Sequence, residues 1–231
     1  MAVIGLHGFL GDPSDWELGG GDAIDALSLL TCLEACPTSF HEAVLAITPQ
    51  IPKGATLLGY SMGARVALYM ALYFPQNVSR LVMISGSPGI ENDVDRQDRY
   101  RKDLALADRM ETQPWPEFLR EWYQQPLFEP FRSSSYFETV FKKRLAQDPH
   151  QMAQVLRVLS VGNQPSLWGR LPELTIPVTL VSGQLDAKYT QISQKMVQLC
   201  PHFRWIQVPH VGHAVLAELE PNQQRALLRG V

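Results

Sequence analysis

"LLGYSMGARVALYMA", residues 57–71, decides the fold. It opens as a short apolar run, turns at a serine set between two glycines, and continues in residues that favour a helix. Gly59-Tyr60-Ser61-Met62-Gly63 fits the pattern G-x-S-x-G. The pattern alone is common by chance, but a buried strand before it and a helix after it give it meaning. In that setting the serine occupies a sharp, strained turn, and small residues two positions either side let strand and helix converge. The hydroxyl is pushed out above the sheet, beside the positive end of the following helix. The plainer reading is a glycine-rich strand–helix turn with an incidental serine, and only partners elsewhere in the chain can decide against it.

Outward from that turn, apolar strands alternate with helices. "AVIGLHG" reads as a short buried strand ending at glycine, and "LGDPSDWELGGGD" is a loop by composition. The region 23–50 is weakly patterned until "HEAVLAITPQI", an amphipathic helix stopped by Pro49 and Pro52. "ATLLGY" and "SRLVMISGS" are further strands, with the helix "GARVALYMALYF" between them ending before Pro75. Residues 91–168 change character: charge and aromatics rise, strand-like runs vanish, and "VDRQDRYRKDLALADRM" and "PEFLREWYQQ" carry helical spacing. Alternation resumes with "PVTLVSGQLD", "YTQISQKMVQLC", "RWIQVP" and a helix over "AVLAELEPNQQRALLRG". This order predicts an α/β fold, a mostly parallel sheet covered by helices on both faces. Residues 1–90 and 169–231 form its core, and 91–168 are an inserted helical cap.

Composition narrows the function classes. The chain has 231 residues, 45% hydrophobic and 19% charged, which suits one domain with a sizeable core. A formal net charge of -3 gives no reason to expect nucleic acid as a partner. No apolar stretch approaches the roughly 20 residues of a membrane span. The N-terminus "MAVIGLHGFLG" lacks a basic lead and a cleavage site, so it reads as a strand and not a signal peptide. Cys32, Cys36 and Cys200 are too scattered for a disulfide framework, which points to a cytoplasmic chain with free thiols. The Cys32/Cys36 pair lacks further ligands at zinc-site spacing, so no metal is expected. Oligomeric state is left open.

A serine alone is a poor base or nucleophile, and in this arrangement its partners follow in the order acid, then histidine. Asp186 lies just past the strand "PVTLVSG", and His213 lies in "HVGHAVLAE" after "RWIQVP". The acid would hold the imidazole in one tautomer while the histidine takes the serine proton. His210 competes for the role, but His213 follows a glycine that lets its loop approach the serine. Asp12, Asp15 and Asp22 precede the serine, and chain order argues against them. The loop "HGFLG" would supply one oxyanion donor from the Phe9 N–H, and Met62 the other. Such donors are worth about 3 kcal/mol each. His7 reads as a loop-shaping residue. Arg65 lies one helical turn beyond Ser61, so it can project toward the same mouth.

Together these elements resemble the α/β-hydrolase superfamily over nearly the whole chain. The series "GYSMGARVAL", "SGSPGI", "RQDRYRKDLALA", "FLREWYQQPLF", "LSVGNQPSLW", "SGQLDAKY" and "GHAVLAE" further resembles the 2-succinyl-6-hydroxy-2,4-cyclohexadiene-1-carboxylate synthases of menaquinone and phylloquinone biosynthesis. The resemblance implies elimination of pyruvate from a small-molecule tricarboxylate, with Ser61, His213 and Asp186 as the base and no cofactor. It also implies substrate contacts from Arg65, Arg99, Tyr60, Trp122, Tyr123, Arg144 and Lys188. From the residues alone, Arg99 pairs equally well with Asp95 or Asp103 on an exposed helix, and Trp122 and Tyr123 could be ordinary cap packing. The chain departs from these relatives in its short lead-in to "HGF". It also lacks their Asp-x-Pro-Gly-His-Gly loop, reading "DAIDALSLLTCLEACPTSF" instead, which leaves one strand and the near pocket wall in question. The same triad would serve a serine esterase or thioesterase working through an acyl-enzyme, and a binding protein on a hydrolase scaffold is a third reading.

Overall fold

The structure, a computed structural model, describes residues 2–17 and 24–230. Six strands form one sheet in the order β2-β1-β3-β4-β5-β6. They are β1 (Val3–Leu6), β2 (Asp25–Leu27), β3 (Ala55–Tyr60), β4 (Val78–Ile84), β5 (Val178–Gly183) and β6 (Arg204–Val208). Every neighbouring pair is parallel. The region 23–50, weakly patterned in sequence, supplies the edge strand β2. Its three residues are too few to show a period, and pairing Leu27 with Leu6 fixes them. Asp22 and the end of the 10–22 loop lie outside the described residues; Pro13–Trp16 of that loop form a short 3-10 turn.

The period of two along the strands sorts side chains to opposite faces. Leu57, Leu81 and Met83 enter one apolar cluster, and Leu58, Val82 and Ile84 enter another. The first face is covered by α2 (Met62–Tyr73), whose Val66, Leu68 and Met70 are fully buried. The second is covered by Trp16 and by Val215, Leu216 and Leu219, with Leu227 and Leu228 of α9 (Pro221–Arg229) packed at its edge. The last helix therefore begins at Pro221 and not at Ala214: Leu216–Glu218 make a 3-10 turn, and the proline starts the helix at a position that needs no N–H.

Between β4 and β5 the chain is helical: α3 (Asp93–Thr112), α4 (Trp115–Tyr123), α5 (Glu129–Arg132), α6 (Phe137–Leu145) and α7 (Pro149–Leu159). Asn92 caps α3 by accepting from the Val94 and Asp95 N–H groups, and Asp148 caps α7 ahead of Pro149. The buried faces of these helices join the same apolar cluster as the sheet, through Phe118, Leu119, Leu156 and Leu159. α1 (Phe40–Ile47) and α8 (Ala187–Leu199) complete the layers. Among the described residues no helix is long and apolar enough to cross a membrane.

Candidate active site

The elbow is built as its sequence predicts. Ser61 sits at φ 50°, ψ -103°, outside the ordinary regions for a residue with a Cβ. Its N–H donates to the Ile84 carbonyl at 2.9 Å, tying the turn to the end of β4. A Cβ on Gly63 would come within 2.1 Å of the Leu6 carbonyl oxygen, and one on Gly59 within 2.5 Å of the Ala64 nitrogen. Any side chain at either place would push strand and helix apart.

Two other strand ends deliver the partners. Asp186 caps α8 just past β5, and His213 lies on the loop after β6. The His213 ring nitrogen Nδ1 is 2.7 Å from Asp186 Oδ2, and its Nε2 is 3.1 Å from Ser61 Oγ. With the proton on Nδ1, Nε2 is left to accept from the serine. Asp186 and His213 are buried, so the interaction between them is little screened by solvent. His210, the competing histidine, is exposed in a left-handed conformation, and its N–H donates to Gln184.

The loop after β1 lies against the elbow, with Gly8 in contact with Tyr60 and Ser61. Among the described residues neither the Phe9 nor the Met62 N–H has an acceptor. His7 holds the loop from beneath: Nδ1–H donates to the Gly8 carbonyl and Nε2 accepts from the Leu29 N–H. Burial depresses its pKa, which keeps it neutral and able to do both.

A cavity of about 300 Å³ opens beside Ser61 and His213. Phe9, Tyr60, Trp122, Tyr123 and Phe128 are among the residues that line it, with Phe9 and Trp122 meeting edge to face at 5.3 Å. Arg144 also lines it, but its fork is engaged by Asp12 Oδ2 at 2.9 Å and Asp15 Oδ1 at 2.6 Å. Burial works against the Arg144 charge, yet the two carboxylates outweigh it and hold the guanidinium above its ordinary pKa.

Lys143 lines the cavity too and donates to Ser14 Oγ at 2.9 Å, whereas the remaining cations expected at the site lie elsewhere. Arg65 does not reach the cavity wall. It is buried, donating from Nη1 to Gln164 Oε1 at 2.9 Å and from Nη2 to the Leu159 carbonyl at 2.8 Å. Its helical position points it at the chain after α7, which supplies neutral oxygens. Burial, aided by Arg99, lowers its pKa to about 10. Arg99 pairs with Asp103 at 2.9 Å, the i,i+4 arrangement open from sequence, and Asp103 also accepts from Ser160. Lys188 places its ammonium 5.4 Å from the centre of the Tyr189 ring.

Three residues at the site escaped sequence reasoning. Glu218 accepts from the Gly212 N–H at 2.6 Å and the Ala214 N–H at 3.0 Å, bracketing His213. Ser85 donates to the His213 carbonyl at 2.9 Å. Tyr189 packs against the imidazole, with ring centres 4.6 Å apart. A glutamate five residues past the histidine was the one available signal; nothing in the sequence separates Ser85 or Tyr189 from their neighbours.

An alpha/beta hydrolase family model matches residues 3–226, and the chain belongs to that family. On that fold Ser61, Asp186 and His213 come together from three strand ends. A putative 2-succinyl-6-hydroxy-2,4-cyclohexadiene-1-carboxylate synthase of Bacillus subtilis is 31% identical, covering 94% of this chain and 85% of that protein. The protein PHYLLO, chloroplastic, of Arabidopsis thaliana is 32% identical over 92% of this chain, which spans only 14% of that much longer protein. The structure of MenH from S. aureus superposes with a TM-score of 0.89 at 29% identity, covering 99% of this chain and 92% of that one. Within the hydrolase family, the chain groups with these synthases.

Proposed function

We propose that the chain eliminates pyruvate from 2-succinyl-5-enolpyruvyl-6-hydroxy-3-cyclohexene-1-carboxylate, giving 2-succinyl-6-hydroxy-2,4-cyclohexadiene-1-carboxylate. The observation that carries this reading is the triad spacing with a buried arginine, Arg65, that has no carboxylate partner among the described residues. A buried cation whose hydrogen bonds go only to neutral oxygens is costly, and in this reading one of the substrate's three carboxylates extends beyond the cavity wall to meet it. Guanidinium forks match carboxylates in a planar, bidentate way. In this reading Arg99 and Lys188 add positive charge, and Tyr60, Trp122 and Tyr123 line the cavity.

In this reading Ser61, its proton passed to His213 Nε2, removes the ring proton beside the succinyl ketone. The electron pair forms a new ring double bond, the existing one shifts, and the carbon–oxygen bond to the enolpyruvyl group breaks. The leaving enolate takes up a proton at carbon and becomes pyruvate. Negative charge gathers on the succinyl ketone oxygen during proton removal, and the Phe9 and Met62 N–H groups suit it as fixed donors. Asp186 holds the imidazole and stabilises its charged form.

An acyl-enzyme esterase is the second reading, favoured by the aromatic residues that line the cavity beside Ser61. Pyruvate release from the enolpyruvyl substrate separates the two. Turnover by the intact protein that falls at least about 1000-fold in Ser61→Ala is the expected result. Absence of pyruvate release, or normal release by the variant, rejects the elimination.

A further inference from the structure

Gln164 belongs to the turn that follows α7, and that turn is held stiffly. The Gln164 N–H donates to the Ser160 carbonyl at 3.1 Å, and the Ser160 hydroxyl accepts from the Gly162 N–H at 2.9 Å. Gly162 packs so closely on α3 that a Cβ there would stand 2.4 Å from the Tyr100 nitrogen. Leu167 then donates to the Pro88 carbonyl at 2.8 Å, tying the same stretch to the loop after β4. The Gln164 side chain is fully buried.

Arg65 dictates which way its amide faces. A guanidinium donates and cannot accept, so the Gln164 atom 2.9 Å from Arg65 Nη1 is the oxygen. Nε2 is thereby turned away, 3.1 Å from the point at which a Cβ on Gly89 would stand, and it has no acceptor among the described residues. Buried polar atoms in folded proteins nearly always find a partner, and leaving a donor without one is costly. A methionine here would avoid that cost, and a glutamate of the same shape would give Arg65 a counter-ion. The residue present does neither.

What the amide does is grip the guanidinium without cancelling its charge. Of the five guanidinium N–H groups, one goes to Gln164 and one to the Leu159 carbonyl. The others have no acceptor among the described residues. The Asp103 carboxylate on α3 is taken by Arg99 Nε at 2.9 Å and by the Ser160 hydroxyl at 2.7 Å, and it makes no ion pair with Arg65.

We infer that Gln164 is a positioning residue: its amide oxygen fixes the Arg65 guanidinium, and its neutrality leaves that charge to a carboxylate of the substrate. The inference rests on the elimination proposed above and deepens it, because it makes an amide at 164 the condition for anion recognition at Arg65.

The test is Gln164→Glu, made in the wild type and in an Arg65→Met background, with kcat and KM for pyruvate release and the midpoint of denaturant unfolding measured for each. Glutamate keeps an oxygen on Arg65 but pairs its charge. The expected result in the wild-type background is KM raised about 10-fold or more with the unfolding midpoint unchanged or higher. In the Arg65→Met background the same substitution should leave KM within about 2-fold, the non-additivity of two residues that act as one. If Gln164→Glu does not fold, Gln164→Met decides by the same comparison, since it frees Nη1 and should raise KM about 10-fold only where Arg65 is present. If the wild type releases pyruvate and KM either stays unchanged or rises equally in both backgrounds, the role of Gln164 is overturned alone. If the wild type releases no pyruvate, the elimination is overturned and this role with it.

Discussion

Two buried arginines flank the elbow, and they are held in opposite ways. Arg144 is 5% exposed and Arg65 is 7% exposed, so burial does not distinguish them. Arg144 reaches from α6 to two aspartates of the loop after β1 and is neutralised. Among the described residues Arg65 directs its hydrogen bonds to the last carbonyl of α7 and to the Gln164 amide oxygen beyond it. One pKa is raised by its partners while the other is lowered by burial. Arg144 is thus a strut between α6 and the loop after β1, whereas in the proposed elimination Arg65 keeps a charge in reserve for an anion. Retaining such a charge sacrifices stability to function.

Replacing each arginine with methionine, which fills similar volume without charge, breaks or sharpens this contrast. Arg65→Met is expected to lower kcat/KM for pyruvate release by about 100-fold, the loss of charged hydrogen bonds to a carboxylate. Its unfolding free energy, read by denaturant titration, should change by no more than about 1 kcal/mol, because relief of the unpaired charge offsets two orphaned acceptors. A large loss of stability with turnover intact would make Arg65 a strut as well. Arg144→Met is expected to destabilise by about 2 kcal/mol, less than a fully dry pair because Asp12 and Asp15 are partly wet. Unchanged stability with a steep rise in KM would instead make it a substrate grip. The smallest expected effect belongs to Glu218→Ala, which frees the two N–H groups around His213. Loosening that loop should lower kcat about 10-fold at constant KM, and an unaltered kcat would show that Ser85 and packing suffice to place the histidine.

The same contrast marks how far the sequence could be read. The elbow, the strand ends carrying Asp186 and His213, and the α/β alternation were legible because each is a local pattern: an apolar run, a turn residue, a helix start. The choice of His213 over His210 also followed local geometry, a glycine that lets the loop close on Gly183 with the Gly212 carbonyl oxygen only 2.1 Å from where a Cβ would stand. What stayed hidden was pairing across distance. Arg144 meets Asp12 and Asp15 from well over a hundred residues away, and no spacing rule reaches that far. Arg65 was placed at the cavity mouth from its helical turn alone, whereas the stretch around Gln164 takes its fork. Strand β2 went unread because three residues, one of them Asp25, carry no period. Tyr189 was hidden for a related reason, since only the closure of β5 and β6 brings its ring to His213.

The central claim is that Ser61 accepts a proton from carbon and never carries an acyl group in turnover. Intact-protein mass spectrometry during turnover, with pyruvate and the conjugated diene followed together, tests it most directly. Elimination predicts pyruvate and diene in equal amounts from a protein of unchanged mass. A covalent adduct on Ser61 that forms and decays at the rate of turnover, or pyruvate appearing without the diene, would contradict it.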